Sequence, residues 1–167
     1  MKKHIYLIGF MGTGKSTVSK ELKKLLGWEE VEMDEEIARS CGMSIPEIFE
    51  TYGEAYFREQ ETACIVSISK TDSSIVSCGG GAVLREENVK LMKESGQIIL
   101  LTARPDTVYH RVKHGKDRPL LKDRMSISGI SQLMEQRSGV YEKSCDKMVS
   151  TDGKTPLEIA QEIAEKL

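Results

Sequence analysis

Eight residues near the N-terminus constrain this chain more than any others: Gly9-Phe10-Met11-Gly12-Thr13-Gly14-Lys15-Ser16. They match the glycine-rich phosphate-loop pattern at every fixed position. The flanks are the ones such a loop needs. Ile5-Tyr6-Leu7-Ile8 is a compact apolar run that predicts a buried strand ending at Gly9. From Lys15 to Leu26, Val18, Leu22, Leu25 and Leu26 recur at helical spacing. Glycines let successive backbone N–H groups turn inward around phosphate oxygens. The helix that follows adds free N–H groups and the positive end of its dipole. Gly12, Thr13, Gly14, Lys15, Ser16 and Thr17 are therefore candidate contacts to the phosphates of a nucleoside triphosphate. Lys15 would reach the β- and γ-phosphates, and the Ser16 hydroxyl would ligate Mg²⁺, a hard cation that prefers oxygen.

Downstream, short apolar runs alternate with amphipathic stretches. Strands are expected at Val31–Met33, Ser74–Cys78, Gln97–Thr102 and Met148–Ser150. Helical patterns fill most of residues 35–69, with Ser44 and Glu47 as a capping box, and recur at Arg85–Ser95, after Pro105 and over Ser128–Lys143. Thr155-Pro156-Leu157-Glu158 combines a cap, an early proline and a capping glutamate, and opens a C-terminal helix. Buried strands alternating with helices imply a parallel sheet in an α/β domain, with ligands at the C-terminal ends of the strands.

The rest of the composition mostly excludes. A chain of 167 residues suffices for one compact domain, and a net charge of −2 gives no overall field to draw nucleic acid or anionic lipid. No run is long and apolar enough to span a bilayer, and no signal-peptide pattern opens the chain. Cys41, Cys64, Cys78 and Cys145 lack the spacing of a zinc or redox motif, so they read as small buried apolar residues with reduced thiols in a cytoplasmic protein. His110 and His114, four apart, read as solvent-facing residues at a helix end. A guanine-reading Asn-Lys-x-Asp run is absent from the sequence, and after a loop at residue 9 little chain remains for a motor or switch apparatus. A small-molecule or nucleotide kinase fits best.

Further motifs follow in order: Asp34-Glu35-Glu36-Ile37, Gly42-Met43-Ser44-Ile45, Ile48-Phe49-Glu50, Phe57-Arg58-Glu59-Gln60-Glu61, Gly79-Gly80-Gly81, Arg118-Pro119-Leu120-Leu121, and Arg137 with Tyr141. With the loop, this set resembles the shikimate kinase family along nearly the whole chain. The resemblance implies a three-layer α/β P-loop NTPase fold of the nucleoside-monophosphate-kinase kind, with a five-stranded parallel sheet and a mobile lid at about 111–124. It implies one kinase domain over 1–167, with a substrate-binding helical segment at about 34–61. It also implies transfer of the γ-phosphoryl group of ATP to the 3-hydroxyl of shikimate, in chorismate and aromatic amino-acid biosynthesis, with Mg²⁺ as cofactor. The partners implied are ATP and shikimate, with neither nucleic acid nor membrane, and the state implied is a monomer.

Residue roles come with the resemblance. Asp34 orients the substrate hydroxyl, although an aspartate before two glutamates also reads as a helix cap. Arg58, with Glu54 and Glu61 at ion-pair spacing, becomes a carboxylate anchor oriented by Glu61; without the resemblance it is a surface ion pair. Arg137 becomes the second arginine on that carboxylate, where a planar fork suits better than an ammonium. Phe49 and Phe57 become aromatic walls or simply core. Gly79, Gly80 and Gly81 lie against the substrate and offer backbone N–H groups.

Between Arg111 and Arg124 stand Arg111, Lys113, Lys116, Arg118, Lys122 and Arg124, against Asp117 and Asp123. That segment reads as a lid excluding water from the reaction, or as a solvated basic loop. The resemblance makes Arg118 the lid arginine that stabilises charge on the transferring group, and assigns Arg111 and the stretch Asp152 to Pro156 to the adenine. One position departs from the family: Glu32 stands where an aspartate is usual in the Mg²⁺ environment. The third strand ends in Ser77-Cys78 and supplies no carboxylate. Metal coordination therefore falls to Ser16 and, through a water, Glu32.

Overall fold

A computed structural model describes residues 3–113 and 125–167. Over these residues the chain forms five strands and seven α-helices: β1 (His4–Ile8), α1 (Lys15–Leu26), β2 (Glu29–Glu32), α2 (Met33–Cys41), α3 (Ile45–Ser69), β3 (Ser74–Ser77), α4 (Glu86–Ser95), β4 (Gly96–Thr102), α5 (Pro105–Val112), α6 (Ile127–Ser144), β5 (Lys147–Ser150) and α7 (Pro156–Lys166). A short 3-10 turn, Ala82–Leu84, precedes α4. The expected basic residues from His114 to Arg124, Arg118 included, lie outside the described residues.

The strands make one parallel sheet in the order β2-β3-β1-β4-β5. Every residue of β1 is buried, as expected of a central strand covered on both faces. Its side chains alternate between two cores. Ile5 and Leu7 pack with Val18 and Leu22 of α1 and with Ile159 and Ile163 of α7. Tyr6 and Ile8 pack with Ile65 of α3, Met92 of α4, Val108 of α5 and Ile130 of α6. The result is three layers, helix–sheet–helix. The α/β fold with five parallel strands expected from the sequence is the one observed. Strand, loop and helix are contiguous from His4 to Leu26, which puts the loop at the C-terminal edge of the central strand.

Boundaries differ where tertiary context competes with local pattern. β2 spans Glu29–Glu32 rather than Val31–Met33, because Met33 turns into α2 and buries itself completely. The long helical pattern over 35–69 is broken at Gly42, which takes a left-handed φ of 67°, and again inside α3 at Gly53, with φ 86° and ψ 173°. A side chain at Gly53 would meet open space but an unfavourable backbone, so the kink depends on glycine. The kink separates the turn carrying Phe49 from the turn carrying Arg58. Ser44 caps α3 by accepting the Glu47 N–H at 3.3 Å, but its hydroxyl donates to the Glu47 carboxylate, so the reciprocal half of the box is missing. At α7 the full box forms between Thr155 and Glu158. The reading of four buried cysteines is corrected: Cys78 is buried, whereas Cys41, Cys64 and Cys145 are only partly buried at the edges of the cores.

Candidate active site

The strand register assembles the site. Leu7 of β1 is level with Ser77 of β3, which is level with Glu32 of β2. The chain therefore leaves three adjacent strands at one edge, delivering the phosphate loop, the glycine triplet and α2 side by side.

The loop is built as its sequence demands. Gly12 and Gly14 take positive φ, and Phe10 and Thr13 anchor the loop in the interior at 3% and 1% exposure. Thr13 closes the turn, its hydroxyl donating to the Phe10 carbonyl at 2.7 Å. Gly14 precedes α1, no side chain caps the helix, and its first turn contains no acidic residue. Its first N–H groups and positive dipole end are thus offered to an anion. The Lys15 ammonium lies over the loop, donating to the carbonyls of Gly9 (2.6 Å) and Phe10 (3.2 Å). Ser16 and Thr17 stand exposed on the first turn.

Arg111, from the last turn of α5, donates to the Gly12 carbonyl at 2.9 Å and to Thr151 Oγ1 at 3.3 Å. Asp152 accepts the Arg104 N–H at the start of α5. The stretch that the sequence assigns to the adenine thus also braces α5 against the phosphate loop.

Glu32 ends β2 beside the loop. Burial pushes its carboxyl above the ordinary carboxylate range, and the hydroxyls of Ser16 and Ser77 facing it pull it back. Even so, its buried Oε1 has no hydrogen-bond partner among the described residues. A buried carboxyl oxygen without a partner among the described residues, next to the hydroxyl that closes the loop motif, suits a hard cation. Groups of three or more His, Cys, Asp or Glu that could cage a metal are absent among the described residues. That composition fits Mg²⁺, which keeps waters and phosphate oxygens as most of its ligands. The sequence drew attention to Glu32 but gave no signal for Ser77.

The second half of the site surrounds Gly79-Gly80-Gly81. None of the three takes a positive φ, so they are glycines for space. A methyl group on Gly79 would stand 3.0 Å from Asp34 Oδ1 and 3.4 Å from Glu61 Oε2. On Gly80 it would stand 3.1 Å from an Arg137 guanidinium nitrogen, and on Gly81 2.5 Å from one of Arg58. The missing side chains thus make room for Asp34 from α2, Arg58 and Glu61 from α3, and Arg137 from α6. Asp34, Arg58 and Arg137, all assigned to the acid substrate, meet here.

Arg58 is fixed from several sides. It donates to Glu61 at 3.0 Å and to Glu54 at 3.3 Å, and lies 5.3 Å from the centre of the Phe57 ring. Glu61 is 1% exposed; burial pushes its carboxyl up while Arg58 pulls it down. Phe57 is a core residue packed with Ile37 and Ile48, whereas Phe49 is exposed and leans on it at 4.8 Å. Of the two proposed walls, Phe57 belongs to the core and Phe49 is available to a ligand.

Two supports were not read from the sequence as parts of the site. The Tyr141 hydroxyl donates to the Gly80 carbonyl at 2.6 Å. Fully buried Asn88 donates to the Ala82 carbonyl at 2.9 Å and accepts from Thr62 at 2.7 Å. Tyr141 was visible only as a motif residue, and Asn88 carried no signal, since a single polar residue in a helical pattern looks like any solvated position.

The family model for shikimate kinase matches residues 11–167. A shikimate kinase of Sulfurihydrogenibium sp. is 43% identical over 165 residues, covering 99% of this chain and 98% of that protein. One from Thermodesulfovibrio yellowstonii is 41% identical over 164 residues, covering 98% and 94%. Among solved structures, shikimate kinase from Acinetobacter baumannii in complex with shikimate superposes with a TM-score of 0.92 at 31% identity, covering 99% of this chain and 93% of the other. A match of this extent, on a sheet that brings a phosphate loop and two arginines to one edge, means that the chain belongs to the shikimate kinase family.

Proposed function

We propose that this chain transfers the γ-phosphoryl group of ATP to the 3-hydroxyl of shikimate, giving 3-phosphoshikimate and ADP, a step of chorismate and aromatic amino-acid biosynthesis. The observation that carries this reading is the convergence of Asp34, Arg58 and Arg137 on the glycine triplet, one strand away from the phosphate loop.

Phosphoryl transfer needs position and charge stabilisation more than covalent chemistry from the protein. The amides of Gly12 to Thr17 and the Lys15 ammonium take the triphosphate. Arg58 and Arg137 grip the planar carboxylate of the acid, which leaves its hydroxyls towards Asp34 and the loop. The Asp34 carboxylate accepts the hydrogen bond of the 3-hydroxyl and takes up its proton as the oxygen bonds to phosphorus and the bond to the ADP oxygen breaks. Ser16 and, through a water, Glu32 would hold Mg²⁺, whose charge offsets that of the phosphates when it is bound. Arg111 contributes to nucleotide binding beside Gly12. Arg118 supplies a cation to the transferring group, from a lid at about 111–124 that excludes water.

In this reading 1–167 works as one kinase domain with 34–61 as its acid-binding segment, as a cytoplasmic monomer with small-molecule partners only. No helix of the described residues is long and apolar enough to cross a membrane.

The test is ADP release, in a coupled assay with Mg²⁺ and ATP, with shikimate, gluconate or no acceptor. Shikimate-dependent release that disappears on chelating the metal is expected. Faster turnover of gluconate, or release indifferent to any acceptor, would refute the assignment.

A further inference from the structure

The glycine turn offers donors only if its peptide planes are held in one orientation, and its carbonyls show how that is done. Gly79 O accepts from Ala82 N at 3.1 Å, Gly81 O from Leu84 N at 3.1 Å, and Ala82 O from Asn88 Nδ2 at 2.9 Å. Three of the four consecutive carbonyls are therefore committed to the turn's own backbone or to the helix beside it. The fourth, on Gly80, is held by a distant side chain: Tyr141, 61 residues later on α6, donates to it at 2.6 Å.

Among the described residues no peptide is cis, so the C=O of Gly80 and the N–H of Gly81 lie in one plane and point in opposite directions. Pinning that carbonyl towards α6 aims the Gly81 N–H the other way. A peptide flanked by glycines is otherwise free to flip, because neither neighbour has a Cβ to oppose the rotation. Tyr141 lies one helical turn after Arg137, and a methyl group on Gly80 would be 3.1 Å from the Arg137 guanidinium and 3.6 Å from the Tyr141 hydroxyl. A single helix face thus delivers one group to the ligand and one to the peptide beside it. Tyr141 is 5% exposed, so solvent does not compete effectively for the bond.

We propose that Tyr141 is a positioning residue for acid binding: its hydroxyl locks the Gly80–Gly81 peptide so that the Gly81 N–H faces the acid substrate. It acts through the loop, and its hydroxyl also faces the Arg137 guanidinium. The inference rests on the assignment of shikimate to this site.

The test compares wild type with Tyr141→Phe, which keeps the ring and removes the donor. Calorimetry is run with shikimate and separately with Mg²⁺–ATP. Loss of one buried hydrogen bond predicts shikimate binding weakened about tenfold, with nucleotide binding within about twofold of wild type. Unchanged shikimate affinity, or equal weakening of both ligands, overturns the proposal, the second by showing a general structural role. Wild type unable to bind shikimate would instead overturn the substrate assignment. A second measurement needs no variant. The Gly80 and Gly81 amide resonances of the wild-type protein are expected to move on adding shikimate and to stay still with nucleotide alone. Resonances that do not respond to shikimate while it binds overturn the proposal.

Discussion

Gly81→Ala isolates the contact between the glycine turn and Arg58. Gly81 has φ −103° and ψ 5°, which alanine adopts without strain, so the cost comes from the added methyl alone. That methyl would stand 2.5, 2.6 and 2.8 Å from Arg58 Nη1, Nη2 and Cζ, all inside contact distance. The backbone has little freedom to yield, because the Gly80 and Gly81 carbonyls are both hydrogen-bonded. The guanidinium must therefore move, and it is the group held by Glu61 at 3.0 Å. A hydrogen bond to a charged group contributes about 1.5–3 kcal/mol. At about 1.4 kcal/mol per decade, displacing the fork from its set position should weaken acid binding by roughly 10- to 150-fold. Glu61, at 1% exposure, also loses part of its counter-charge, so thermal stability falls by a comparable free energy. The assay is titration calorimetry with shikimate and with Mg²⁺–ATP, beside thermal unfolding. Shikimate affinity within about twofold of wild type would refute the reasoning, since Arg58 would then have another equally good position. An equal loss for the nucleotide would refute it as well, because the phosphate loop lies on a different strand.

The other predictions concern charge. Burial raises the Glu61 carboxyl above its ordinary value of 4.5, so the folded state binds that proton more tightly than the unfolded state. Its contribution to stability is complete below pH 4.5 and is lost as pH rises through the raised value. Glu61→Gln should remove that decline, and a wild-type-minus-variant difference in Tm that stays constant across this range would contradict it. Asp34→Asn should lower kcat by about 100-fold or more while leaving the Kd for ATP unchanged; near-normal turnover in the coupled assay would remove Asp34 from the mechanism.

The sequence by itself determined the phosphate loop and most of the helices, because their physics is local. Gly9 to Ser16, the strand before and the helix after are contiguous, and the loop's amides are organised by their own glycines and by α1. The cap and proline at Thr155 and Pro156 are local in the same way, and their helix begins where expected. The sequence also supplied the residue types of an acid site, Asp34, Arg58, Arg137 and three glycines, but in segments that no local rule brings together. Only the sheet order β2-β3-β1-β4-β5 decided that they meet, since it sets Glu32, Ser77 and Leu7 level and leaves the three following segments adjacent. Tertiary structure likewise decided that α3 bends at Gly53, that Phe57 is core while Phe49 is exposed, and that Glu32 keeps a buried oxygen without a partner among the described residues. The tie from Tyr141 to Gly80 spans 61 residues. Such a bond leaves no periodicity or spacing to read, because its geometry is set by the packing of α6 on the sheet and not by any chain segment that contains both residues.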